Sequence, residues 1–174
     1  MATSNSKNFE PDVGEFIEEA YERCGLELRT GYDLKSAQRS LNLMLAEWAN
    51  RGLNQWTVLQ KTVAMVKDTV TYNIDSTNAT APIDVLDAFM RETTNNENTD
   101  LPMTRISRSQ YSSLPNKSTT AKPNQFTIDK QLSPTISVYP APDKSSTYTL
   151  YMNVLIRMDD ADVGANTMQM PYRF

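Results

Sequence analysis

The sequence predicts an α+β protein: an N-terminal antiparallel helical hairpin followed by a β-rich module. Three observations carry this. Residues 12–52 hold two apolar stripes at the 3.6-residue helical period. After Gly52 the period falls to about 2, in stretches rich in β-branched and aromatic residues. Near the end, Tyr148, Leu150, Met152, Val154 and Ile156 alternate with more polar positions, the pattern of a half-buried strand.

The first helix is closely punctuated. Asp12 supplies an N-cap acceptor, and Glu15, three residues on, completes a capping-box pattern. Val13, Phe16, Ile17, Ala20, Tyr21 and Cys24 form one face, Gly25 is a left-handed stop, and Leu26 is placed to fold back on the last turn. The second helix opens at Asp33. It carries Leu34, Ala37, Leu41, Met44, Leu45 and Trp48 on its stripe and closes at Gly52. A short Gly-containing connection makes the pair antiparallel. The pair leaves an open apolar side that later helices, the β part or another subunit must cover.

Residues 56–66 and 69–74 read as strands joined by a hairpin turn at Lys67-Asp68. Pro82 precedes a further extended run, 83–91, and the polar stretch 93–100 reads as a turn or exposed loop. Ser107 caps a short helical turn to Leu114, 116–124 is a polar loop, and 125–129, 135–139 and 147–158 are strands. Pro140-Ala-Pro-Asp143 makes a rigid turn. Residues 159–164 are a loop, and Met170-Pro-Tyr-Arg-Phe174 reads as the first turn of another helix, an expectation that the natural chain continues. The organisation is therefore a flexible arm (1–11), a helical hairpin (12–55), a β-rich insert (56–158), and a loop with the start of a C-terminal helix (159–174).

Composition narrows the chemistry. With 174 residues the chain suits one ordinary domain or a compact body with an inserted module. It contains no histidine, the usual general base and commonest metal ligand, and one cysteine, Cys24, too few for a disulfide framework or a cysteine zinc site. No cofactor, metal or catalytic residue is assigned. The net charge is −4 and the mean hydropathy −0.53, against a DNA-gripping surface that works by counterion release. No stretch reaches the roughly 18–20 apolar residues of a membrane helix, and the polar first eight residues are not a signal peptide.

Four groups merit weighing. Glu15, Glu18, Glu19 and Glu22 offer i,i+4 carboxylate pairs that a cell-wall glycan hydrolase could use, but glycosidase pairs need two differing environments, and carboxylates early in a helix complement its positive end. Asp160-x-Asp162-x-Gly164 lacks the closing Glu of a calcium loop and reads as a turn. Trp48 and Trp56 flank the exit from the second helix and read first as anchors of the helix–sheet junction; the alternative is subunit packing, for which Tyr32 is a further candidate, since large aromatics contribute most there. Arg91, Arg105, Arg108, Lys117, Lys122 and Lys130, interleaved with Tyr111 and Phe126, make residues 91–130 mildly basic; this reads first as an uneven solvated surface and, as a site, suits contact with an acidic neighbouring protein better than DNA.

Several phrases, taken as a set, carry a family resemblance. Glu18-Glu-Ala-Tyr-Glu-Arg-Cys-Gly25, then Asp33-Leu with Ala37-Gln-Arg-Ser-Leu-Asn-Leu-Met-Leu-Ala-Glu-Trp-Ala-Asn-Arg-Gly52, then Trp56, come first. Ile106-Ser-Arg-Ser-Gln-Tyr111, Pro115-Asn-Lys-Ser118, Lys122-Pro-Asn-Gln-Phe126 and Val138-Tyr-Pro-Ala-Pro-Asp143 follow. Over residues 12–174 the chain resembles the head-to-tail adaptors of tailed bacteriophages, also called tail tubular protein A or tail accessory factor in short-tailed phages. The resemblance implies that the hairpin is part of a helical bundle with the β-sheet module inserted, in a non-enzymatic virion protein of the neck assembled in the host cytoplasm. It implies a ring of about twelve copies between the portal protein and the tail nozzle or tail tube protein, through which DNA passes without sequence-specific binding and with no membrane. The family's later helices and portal-docking tail have no counterpart in this sequence.

Overall fold

The computed structural model describes residues 10–27, 31–52, 57–74, 82–131 and 133–169. Within them, Thr57–Arg157 form one compact unit, and the residues on either side form another.

In the helical unit, α1 (Val13–Arg23) begins on the predicted capping box. The Asp12 carboxylate accepts from the Glu15 N–H at 2.8 Å, and the Glu15 carboxylate accepts from the Asp12 N–H at 3.0 Å. It ends on Gly25, whose φ of 72° lies in the left-handed region that favours glycine. Gly25 N–H bonds Glu22 O and Leu26 N–H bonds Tyr21 O, the paired bonds of a Schellman cap. The Leu26 side chain itself stays 59% exposed. Helix α2 (Gly31–Asn50) starts two residues earlier than predicted, so Asp33 lies in the first turn, where it complements the helix dipole, rather than capping it. Gly52 follows with φ 81°.

The two helices are antiparallel. Val13, at the start of α1, and Leu45, late in α2, line one small cavity, while Tyr21 and Leu34 from the opposite ends pack on the same cluster. The segment after Met158, read from the sequence as a plain loop, completes this unit. Ala161 is buried with Val13 and Ile17, and Met168 packs beside them. Asn166 O accepts from Val13 N–H at 3.0 Å, Gly164 O from Gly14 N–H at 2.8 Å, and Asn42 Oδ1 from Ala161 N–H at 2.8 Å. The segment thus satisfies donors that the first turn of α1 cannot satisfy internally. Gly14 permits the close approach: a Cβ there would meet Gly164 O at 3.3 Å.

The β unit is two four-stranded sheets over one apolar core. The first runs β1 (Val58–Ala64), β10 (Tyr148–Ile156), β3 (Pro82–Thr94), β4 (Glu97–Pro102), all antiparallel. The second runs β2 (Thr71–Asn73), β8 (Thr135–Tyr139), β7 (Gln125–Asp129), β5 (Thr104–Arg105). In it, β5 pairs parallel to β7, so the module is not purely antiparallel as predicted. A small parallel pair joins β6 (Thr120–Ala121) to β9 (Ala141–Pro142). Ser107 caps the short helix α3 (Arg108–Ser112) through the predicted turn, with Gln110 closing the box.

Alternation decides the packing. Tyr148, Leu150, Met152, Val154 and Ile156 all point into the core, where Val85, Ala88 and Met90 of β3 meet Phe126, Ile136 and Val138 of the second sheet. The register shifts between β3 and β10 make Leu86 and Ile83 bulge residues, which explains why these two apolar side chains are 52% and 46% exposed.

Two expectations are corrected. Lys67-Asp68 does form a turn, with Thr69 N–H bonded to Val66 O, but β1 and β2 lie in different sheets and do not make a hairpin. The buried Tyr72 fixes this corner: its single hydroxyl proton is donated to Thr69 O (2.8 Å), with Val66 O also within 3.1 Å, and its oxygen accepts from Val66 N–H (3.1 Å). Residues 93–100 do hold a turn, but it takes up two residues only and there is no exposed loop. They are the ends of β3 and β4 around a two-residue turn, Asn95-Asn96, with φ of 53° and 64°. Asparagine tolerates this left-handed region, and two such residues match the twist of a tight hairpin.

Candidate interaction surfaces

The helical unit carries two distinct surfaces. The first is an apolar groove of about 410 Å³ between the helices, lined by Phe16, Ile17, Ala20 and Tyr21 of α1 and by Ala37, Leu41 and Met44 of α2, with Ser36 and Ser40. Its stripe positions follow from the 3.6-residue period of both helices. The segment 158–169 covers the neighbouring part of the seam, including Val13, but leaves this groove open, with Ala20 and Met44 exposed on it. The second is the acidic side of α1, a shelf of about 450 Å³ formed by Glu15, Glu18, Glu19, Glu22 and Arg23 with Pro11 and Phe16.

That acidic shelf lacks the features of a catalytic pair. All four carboxylates stand exposed on one helix. Glu15 is engaged as the capping-box acceptor, and Glu19 accepts from Arg23 Nε at 2.7 Å. Among the described residues, no second element faces them within the shelf, whereas glycoside hydrolysis needs two carboxyl groups flanking the bond in unlike surroundings.

The aromatic candidates are not brought together. Tyr32 lies in the first turn of α2 and is 79% exposed, while Trp48 is half-buried about 24 Å further along the same helix. Trp56 lies outside the described residues, as does Met170–Phe174.

In the β unit the basic candidates do not form a free basic face. Arg91 pairs with Asp100 through two parallel hydrogen bonds of 2.6 and 2.7 Å across β3 and β4, and its guanidinium lies 4.5 Å over the Tyr151 ring, itself stacked on Phe89. Those bonds hold the Asp100 carboxyl below the usual carboxylate range and raise the Arg91 guanidinium. Lys122 pairs with Glu92 at 2.6 Å, and Arg108 with Asp129 at 3.2 Å. Lys117 donates to Ser112 O and Leu114 O and sits 5.7 Å over the Tyr111 ring. Burial raises the Tyr111 hydroxyl, with a Ser137 hydrogen bond opposing it.

Arg105 and Lys130 converge on one carboxylate, Asp84, at 3.0 and 2.8 Å, and Arg105 also donates to Val85 O. Sequence reasoning missed Asp84 because its two cations lie 21 and 46 residues away. Burial alone would raise its carboxyl, but the Lys130 ammonium, the Val85 N–H and the Arg105 guanidinium outweigh it and hold the carboxyl below its ordinary value. A lowered folded-state value means that this group stabilises the fold fully above about pH 4 and loses that contribution as pH falls through the lowered value. Asp84→Asn should therefore cost about 1–2 kcal/mol at pH 7 and flatten the acid limb of a urea-midpoint titration. An unchanged acid limb would show that this carboxylate is not linked to folding.

Among the described residues, no group of carboxylate and thiol side chains gathers to hold a metal. Asp160 and Asp162 form a turn, Asp162 N–H to Asp160 O at 3.0 Å, within the segment that docks on α1. No described helix is long and apolar enough to cross a membrane.

Residues 12–171 match the family described as SU10 adaptor protein. The chain belongs to this family of phage head-to-tail adaptors. The match spans both units, from the Asp12 cap to beyond Met168. The adaptor chain is accordingly a structural component of a bacteriophage virion, of its neck or tail region, working in oligomeric assembly with portal and tail components. No curated protein matches the adaptor's sequence.

Proposed function

We propose that this adaptor forms a ring, of about twelve copies, that joins the portal protein to the tail nozzle or tail tube protein and seals the DNA channel. The observation that carries the reading, beyond the family itself, is the open apolar groove between α1 and α2. The helix pair serves as part of a helical bundle, and copies pack side by side through the groove by a repeated head-to-tail contact, which closes when the rotation between neighbours divides the circle. The role is non-enzymatic. Tyr32 and Trp48 supply aromatic area to contacts of the helical unit, with Trp56 beside them in sequence. The β unit reaches tail proteins or a neighbouring subunit through Arg91, Arg105, Arg108, Tyr111, Lys117 and Lys122. Because these cations have internal partners, the surface offers little to grip phosphates, and DNA slides past without sequence-specific binding. Assembly takes place in the host cytoplasm, before the neck closes.

Mass measurement of the purified chain with and without the portal protein of its phage tests this. The expected result is a discrete high-mass complex on the portal, whether or not the chain is monomeric alone. A chain that never joins the portal overturns the proposal.

A further inference from the structure

The first sheet of the β unit ends on two strands, each with one free edge among the described residues. The ladder fixes which backbone groups remain unpaired there. Ile156 N–H bonds Thr57 O, and Met65 N–H bonds Tyr148 O. Pairing alternates along an antiparallel ladder, so Leu59, Lys61 and Val63 face β10, and the N–H and C=O groups of Val58, Gln60, Thr62 and Ala64 point away from it. On the other edge, the Asn95-Asn96 turn makes Thr94 and Glu97 the closing bonded pair. Thr99 and Leu101 likewise face β3, while Asn98 and Asp100 turn both groups outward and Pro102 its carbonyl.

These two edges fit each other in direction and in chemistry. Four strands that alternate in direction leave β1 and β4 antiparallel. A second copy in the same orientation, set beside the first, therefore presents its β1 antiparallel to the first copy's β4, as a head-to-tail ring requires. With Gln60 opposite Asp100, Thr62 meets Asn98 and Val58 meets Pro102 on the face away from the core, while Leu59 meets Leu101 on the core side. Val58 and Leu59, 40% and 41% exposed, then gain apolar partners. A shift of two residues either way sets Val58 against Asp100 or Gln60 against Pro102, so one register satisfies both polar and apolar pairs. Strand β1 runs seven residues without a proline or a register shift to guard its edge.

We propose that β4 of one copy adds to β1 of the next, so that the first sheet continues from subunit to subunit around the ring. This rests on the ring-forming reading above and gives it a second contact, carried by the β unit.

Two experiments test it on the full chain with its portal. Thr62→Pro removes an outward N–H while leaving the β1–β10 ladder its bonds, since the Thr62 amide faces away from β10. The expected result is a monomer with wild-type circular dichroism and loss of the ring. Separately, Thr62→Cys with Asn98→Cys in a Cys24→Ser background places two thiols on neighbouring copies at the ~5.5 Å Cα spacing of a bonded pair, within reach of a disulfide. Oxidation should give a ladder of covalent oligomers from the double variant and none from either single one. A ring that survives Thr62→Pro, a double variant that stays monomeric after oxidation, or a Thr62→Cys single variant that dimerises through β1 overturns this contact alone. A wild-type chain that never assembles on the portal overturns the ring as well.

Discussion

Leu150→Ala should destabilise the β unit by about 3–4 kcal/mol, lowering its melting temperature by more than ~10 °C. Leu150 is fully buried in β10, between Val63 of β1 and Met90 of β3, and its side chain faces the second sheet. Truncation removes the transfer energy of the lost methyl groups and leaves a cavity that neighbours held in two sheets cannot close. The control is Tyr151→Ala, one residue along the same strand. Tyr151 lies on the outer face, half-buried under Arg91, so its loss forfeits a ring stack and a cation contact, about 1–2 kcal/mol. Urea denaturation of both variants checks the contrast. Equal losses would mean that the two faces of β10 are not packed as differently as their exposure indicates.

That contrast marks what was legible in the sequence. Strict alternation from Tyr148 to Ile156 named the strand and its inner face, because a period of 2 has one reading when a single face is buried. The strands 125–129 and 135–139 and the capped starts at Asp12 and Ser107 were equally plain, since side-chain and backbone chemistry within a few residues determines them. What failed was long-range. Lys67-Asp68 has the residues of a turn, but whether a turn makes a hairpin depends on where the next strand pairs, and β2 finds β8 more than sixty residues later. Asn95-Asn96 lay inside a polar stretch whose flanking positions alternate too weakly to reveal edge strand β4. The segment 158–169 has no periodicity at all. Its role comes from backbone bonds to the first turn of α1 and from two apolar anchors, Ala161 and Met168. The basic residues of 91–130 stand out in the sequence by charge, but their partners Asp84, Glu92, Asp100 and Asp129 come from strands that only the fold brings near.

Ala20→Lys combined with Met44→Lys should leave the isolated chain as stable as wild type, within about 0.5 kcal/mol, yet weaken ring assembly at least ~100-fold. Both positions line the apolar groove, and both are exposed in the single chain. In a lone molecule the new ammonium groups reach water, and lysine is a good helix former, so the fold has no reason to object. In the proposed ring a neighbour would cover the groove, and two cations would be buried there without partners, a cost of several kcal/mol at every repeat of the contact. The same reasoning predicts that Met44→Leu, which keeps volume and polarity, assembles normally. Sedimentation on the portal separates the two cases. A lysine variant that forms the wild-type complex would place subunit packing away from this groove. If Thr62→Pro then still dissolved the ring, the continuous sheet of the β units would hold the circle by itself, and the helices would be left to meet portal or tail.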